Sequence, residues 1–126
     1  MIVFDTSIWI EYLRGKDRSI VETSTQYLND DRVIALSPVF GELLQGAKGP
    51  KEESDILTFW QSLPKHDEEN LMIRAGLLSL RHKLWGKGVG LIDASILYAA
   101  LEAGFEIWSK DDNLNKAARS LGIRTY

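Results

Sequence analysis

Residues 1–10 read MIVFDTSIWI, and the fold is decided in this stretch. Ile2, Val3 and Phe4 form a short continuous apolar run, the pattern of a strand buried on both faces in a parallel sheet. Asp5 ends that run, and Thr6 and Ser7 follow it. From Ser7 to Leu13 the residues Ile8, Trp9, Tyr12 and Leu13 recur at helical spacing, and Gly15 closes the segment. A buried strand passing through a carboxylate into a helix is the start of a β-α unit with an acid at the strand's carboxyl end. In open α/β sheets that end is where sites form.

The rest of the chain alternates in the same way. Ile20–Leu28 reads as a helix and Val33–Leu36 as a strand. Ser37-Pro38 starts a helix, with a hydroxyl N-cap and proline in the first turn. Val39, Phe40, Leu43, Leu44 and Ala47 then make an apolar stripe that Gly46 to Pro50 breaks. Glu52–Leu63 reads as a helix closed by Pro64, and Lys65-His66 as a short strand or a loop. Asp67, Glu68 and Glu69 put negative charge at the start of a helix expected to run through Trp85, where it suits the helix dipole. Gly86, Gly88 and Gly90 predict a flexible loop, and Asp93 opens an apolar helix through Ala103. Phe105–Trp108 is a strand, Asp112–Leu121 a helix and Ile123–Tyr126 a last strand. This order predicts one α/β domain over residues 1–126 with a parallel central sheet.

Composition narrows the chemistry. With 44% hydrophobic and 26% charged residues the chain has a globular balance, and its length suffices for a real core. Cysteine is absent, which removes disulfides, thiolate metal sites and a cysteine nucleophile, and suits a reducing cytoplasm. No apolar run nears the ~20 residues of a membrane span. The N-terminus lacks a basic signal-peptide region, so a cytoplasmic location is expected. The net charge of −3 gives no global basic footprint for nucleic acid. Basic residues gather at Arg81, His82, Lys83 and Lys87, and more loosely at Arg14, Lys16 and Arg18; both groups read as solvated helix faces. His66 and His82 are not at metal-ligand spacing and read as surface residues. There is no G-x-S-x-G, and the three glycines lack the Lys-Ser/Thr pair of a phosphate loop. The four tryptophans read as core or interface residues.

Four acids fall where a site would form. Asp5 ends the first strand, Asp111 lies just past Phe105–Trp108, and Asp93 stands at a helix start. Glu42 lies on the flank of the Val39/Phe40/Leu43/Leu44 stripe. Carboxylates brought together repel and raise one another's pKa unless a cation neutralises them. An all-oxygen set favours Mg²⁺ or Mn²⁺ over zinc, and such an ion activates water for phosphodiester displacement. Each acid also has a plainer reading. Asp5, Asp93 and Asp111 or Asp112 can cap the helices they precede, and Glu42 can be a solvated helix residue.

Four segments, VFDTSIWIEYL, SPVFGELLQGA, GLIDASILYAAL and WSKDDNLNKAA, occur in the order and spacing of PIN-domain ribonucleases. The chain resembles the VapC toxins of toxin–antitoxin pairs over essentially its whole length. That resemblance implies a three-layer α/β/α domain with a mostly parallel sheet of about five strands. It implies a Mg²⁺- or Mn²⁺-dependent endoribonuclease that cleaves RNA phosphodiester bonds by metal-activated water. Carried over residue by residue, Asp5 and Asp93 hold the metal, while Glu42 and Asp111 complete the pocket directly or through water. Thr6 and Ser7 match small hydroxyl positions beside the first acid, and Ser109 a position usually held by threonine. Asn113 stands where a second acid is common in the family, which weakens a second metal site, and Leu114 replaces a common aromatic. Spacing from Ser109 favours Asp111 over Asp112.

The resemblance further implies a homodimer and a VapB-type antitoxin whose C-terminal segment obstructs the pocket. Trp9 and Tyr12, or Leu57 and Trp60, are candidates for its groove or for ordinary core. Lys110 or Arg14 are candidates for positioning the RNA backbone. Two other classes compete: a receiver-like phosphoacceptor, which wants an acidic pair after the first strand, and a PIN-like scaffold that binds without cleaving.

Overall fold

The opening run forms β1 (Ile2–Phe4), the central strand of a parallel sheet with order β2-β1-β3. The computed structural model describes residues 1–66 and 68–126. Ile2 stands opposite Val33 of β2 (Val33–Ile34) on one side and Glu106 of β3 (Glu106–Trp108) on the other. All three β1 residues are buried whichever face they point to, which is why the sequence shows a continuous apolar run without alternation.

Of the five strands expected, three form among the described residues. At each outer edge a single parallel bridge takes the place of a strand: Ala35 opposite Lys65, and Ile107 opposite Thr125. Each bridge is held by two backbone bonds. The Ala35 N–H donates to the Pro64 carbonyl (2.9 Å) and His66 N–H to that of Ala35 (3.1 Å). Ile107 N–H donates to Arg124 (3.0 Å) and Tyr126 N–H to Ile107 (2.9 Å). Pro64 has no N–H with which to lengthen the first of these ladders.

Among the described residues seven α-helices connect and cover the sheet. Helix α1 (Thr6–Arg14) runs directly out of β1 and ends at Gly15, whose φ of +65° is the left-handed conformation of a C-terminal cap. Next come α2 (Arg18–Asn29), α3 (Ser37–Gln45) and α4 (Pro50–Ser62). Ser37 is the first residue of α3, Leu36 is its cap, and no side chain bonds the cap position. The helix expected to run to Trp85 is shorter: α5 spans Leu71–His82. Glu68 and Glu69 precede it, and Asp67 lies outside the described residues. Lys83 ends α5 in the left-handed region, and Trp85–Lys87 form a 3₁₀ turn where a flexible glycine loop was expected. Helix α6 (Leu91–Ala103) begins two residues before Asp93, and α7 (Asp112–Ser120) follows β3.

The helices pack in two groups, α1 with α2 and α3, and α6 with α5 and α7, with an α3–α6 contact joining them. Trp9 anchors the first group. It is 1% exposed, and its ring meets Phe4, Phe40 and Phe59 at centroid distances of 5.2–5.4 Å. Trp9 is therefore core, while Leu57 of α4 is exposed. Trp108 is buried as well, Trp60 is half-buried, and Trp85 lies open at 82% exposure. The middle of helix α6 is buried almost all round, with Ala94, Ser95, Ile96, Leu97, Ala99 and Ala100 inside, as its largely apolar sequence there requires. Among the described residues no helix is long and apolar enough to cross a membrane.

Candidate metal centre

The carboxyl ends of β1 and β3 deliver Asp5 and the Ser109–Asp111 segment side by side, with the Asp5 N–H donating to the Trp108 carbonyl (3.1 Å). Helix α3 adds Glu42 and the first turn of α6 adds Asp93. A cavity of about 400 Å³ results, lined by Asp5, Thr6, Ser7, Glu42, Asp93 and Asp111 among others. Four acids distant in sequence thus share one pocket at the strand ends, the place the topology favours. Asp112 does not line it.

Each acid is held differently. Asp5 is 4% exposed and both its oxygens are occupied. Its Oδ1 accepts from the Ser7 hydroxyl and from the Ile8 N–H (3.2 Å), so it also caps α1; its Oδ2 accepts from the Ser109 hydroxyl. Asp111 caps α7, its Oδ1 accepting from the N–H groups of Asn113 (2.8 Å) and Leu114 (3.2 Å). These two acids both cap helices and line the pocket. Glu42 accepts from the Thr6 hydroxyl. Asp93 is not a cap, since Gly90 occupies that position, and it accepts no hydrogen bond from a described residue.

Electrostatics follow from this crowding. Burial pushes the Asp93 carboxyl up to about 6, helped by the charges of Asp5, Asp111 and Glu42. Burial also raises Asp5, against the bonds from Ser109, Ser7 and Ile8, which favour its anion. A half-buried carboxylate with no donor, facing three others, is an unmet demand for positive charge. The donor set is all oxygen, which fits a hard divalent cation. No three of these four acids bring ligand atoms within 4.8 Å of one another.

Two expected RNA-positioning cations are engaged elsewhere. Lys110 Nζ pairs with Glu11 (2.8 Å) and Arg14 with Glu52 (3.1 Å). His66 also departs from its reading as a surface residue. It is half-buried, its Nε2 has no hydrogen-bond partner among the described residues, and it lies with Glu68 and Glu102 in a group whose ligand atoms fall within 4.8 Å of one another. Sequence spacing gave no hint of this group, because α6 brings Glu102 to it from a distant part of the chain. None of the three lines the acidic pocket.

A small parallel α/β domain with carboxylates converging at the strand ends defines a class, and the chain belongs to it: the PIN domain family, whose model matches residues 2–120. Within that family it is similar to Ribonuclease VapC32 of Mycobacterium tuberculosis. The two are 33% identical over 125 residues, which cover 98% of this chain and 94% of the relative. Among solved structures it is similar to DNA-bound VapBC from Salmonella typhimurium, with a TM-score of 0.67, 26% identity, and coverage of 99% and 96% of the two chains. VapBC2 from Rickettsia felis, bound to a DNA fragment from its promoter, matches with a TM-score of 0.71 and 19% identity, over 100% of this chain and 98% of that one. At that identity the likeness shows the fold alone.

Proposed function

We propose that this chain is a Mg²⁺- or Mn²⁺-dependent endoribonuclease, the toxin of a VapBC-type toxin–antitoxin pair. The observation that carries the reading is the single pocket shared by Asp5, Glu42, Asp93 and Asp111. Its support is the 33% identity to a ribonuclease over nearly the whole of both chains. When bound, a divalent cation supplies charge neutralisation and Lewis acidity for phosphodiester hydrolysis.

The chain's own residues prepare the site for that ion. Asp5 and Asp93 would hold it, with Glu42 and Asp111 assisting directly or through water. Ser109, Ser7 and the Ile8 N–H fix the Asp5 carboxylate before any ligand arrives, which removes a reorganisation cost from binding and reaction. Thr6 orients Glu42, and two backbone N–H groups orient Asp111. A cation held beside Asp93 would favour its anion, against the burial and like charge that raise the carboxyl.

The reading also assigns an antitoxin partner, a homodimeric assembly, a cytoplasmic location and a single domain over residues 1–126. Inhibition by a small antitoxin is in keeping with the solved VapBC complexes that resemble this chain. Asp5→Asn and Asp93→Asn test the central claim. Each is expected to fold, to bind divalent ions more weakly and to lose roughly a hundredfold or more in RNA cleavage. Full Mg²⁺-dependent cleavage by either folded variant would remove these acids from the mechanism.

A further inference from the structure

An acidic pocket cannot by itself hold a polyanion; some nearby cations must engage the backbone on either side of the cleaved bond. Lys110 and Arg14 are tied to Glu11 and Glu52, which leaves the lysines that pair with no acid among the described residues. Two of these lie together. A second cavity, of about 250 Å³, is lined by Lys87, Asn113, Lys116, Ala117 and Ser120. Lys87 and Lys116 are exposed, and neither forms an ion pair or a side-chain hydrogen bond among the described residues. Asp112 stands one helical turn before Lys116, a spacing that often pairs, yet no bond joins them.

Two stretches of backbone connect residues lining the acidic pocket to residues lining the lysine cavity. Gly90 lines the acidic pocket and Lys87, three residues before it, lines the other. Along the second stretch Asp111 lines the acidic pocket and Asn113 and Lys116 the other, with Lys116 roughly 7.5 Å further along the helix axis and turned away from Asp111. The two stretches touch at Gly88. A Cβ built there would come within 2.5 Å of the Asn113 side-chain nitrogen, so the 3₁₀ turn is seated against α7. That seating brings Lys87 to the same opening as Lys116, with the Asn113 amide between them as a neutral donor.

We propose that Lys87, Asn113 and Lys116 form a backbone-phosphate site for single-stranded RNA, holding a nucleotide beside the one that enters the acidic pocket. The inference rests on the ribonuclease reading and names where its substrate lies. The ligand chemistry is the phosphodiester backbone, held by two ammonium groups and an amide, with no base edge read. Lys87 and Lys116 are positioning residues, since they act on the substrate away from the reacting phosphorus.

The test measures single-stranded RNA binding by fluorescence anisotropy across a salt series, using Asp93→Asn protein to prevent cleavage. Lys87→Ala and Lys116→Ala are each expected to flatten the slope of log K against log salt by about 0.7, and the double variant by about 1.4. Arginine at either position should restore the slope. With Asp93 intact, each alanine variant should raise KM by a larger factor than it lowers kcat. Unchanged slopes in both alanine variants, or no RNA binding by the parent, would overturn the phosphate site. Divalent-dependent cleavage by the protein with all its acids in place judges the ribonuclease reading separately.

Discussion

The Ser109 hydroxyl donates to Oδ2 of Asp5, joining residues 104 positions apart across the carboxyl ends of β1 and β3. The acceptor is a nearly fully buried carboxylate, so the bond does more than an exposed one would. Removing it leaves a desolvated oxygen without its strongest donor, at a cost of about 1–3 kcal/mol. Ser109→Ala is therefore expected to lower the urea midpoint of unfolding and to raise the Asp5 carboxyl further. Ser109→Thr keeps the hydroxyl and should restore most of the loss. Equal midpoints for alanine and serine would show that the bond contributes nothing.

The Asp93 carboxyl, pushed up to about 6 from its ordinary 3.8, makes metal-free stability depend on pH. Between those values the folded protein binds the proton more tightly than the unfolded chain. The stabilisation from this group is thus fully present below about pH 4 and is lost as pH rises through about 6, by on the order of 2–3 kcal/mol. In chelator, the stability difference between Asp93→Asn and the parent should move in the variant's favour over this window. A divalent cation should offset the loss above pH 6. A pH-independent difference between the two proteins would contradict the shift.

Gly88 has φ of +76° and sits against Asn113. Alanine there meets two demands at once, a left-handed backbone and a close approach to the amide. The amide can swing away, whereas the backbone strain of about 1–2 kcal/mol remains. Gly88→Ala should lose about that much stability and should weaken RNA binding through the displaced Lys87 turn. An unchanged thermal midpoint would argue that the turn accommodates a side chain.

Trp9 was a candidate for a partner groove, and its burial among Phe4, Phe40 and Phe59 makes it a core residue. Trp9→Ala is expected to cost about 3–5 kcal/mol in unfolding experiments on the chain alone. A surface residue reserved for a partner would lose binding with little change in that measurement. Leu57, which is exposed, provides the contrast: Leu57→Ala should change stability by less than about 0.5 kcal/mol.

Much of this protein was legible in its sequence because the signals were local. A continuous apolar run fixes β1 as a strand buried on both faces, and the spacing of Ile8, Trp9, Tyr12 and Leu13 fixes the helix after it. Gly15 and Gly104 mark helix ends because each adopts a left-handed conformation that glycine takes without strain. The four acids were visible as residues at strand and helix ends, and their family spacing grouped them. Boundaries that depended on balance were less legible. Nothing in the run from Glu68 to Trp85 announces that Lys83 will turn left-handed and stop α5 early.

Tertiary structure alone decided what each side chain meets. It put Asp5, Glu42, Asp93 and Asp111 around one cavity and left Asp93 without a donor, so that burial and like charge raise its carboxyl together. It paired Lys110 with Glu11 and left Lys87 and Lys116 open to solvent, a partition set by distances that residue spacing does not encode. It reduced the outer strands to single bridges and brought Glu102 to His66. Local propensity writes helices and strands into the chain; charge, burial and hydrogen bonding act between residues that only the folded sheet makes neighbours.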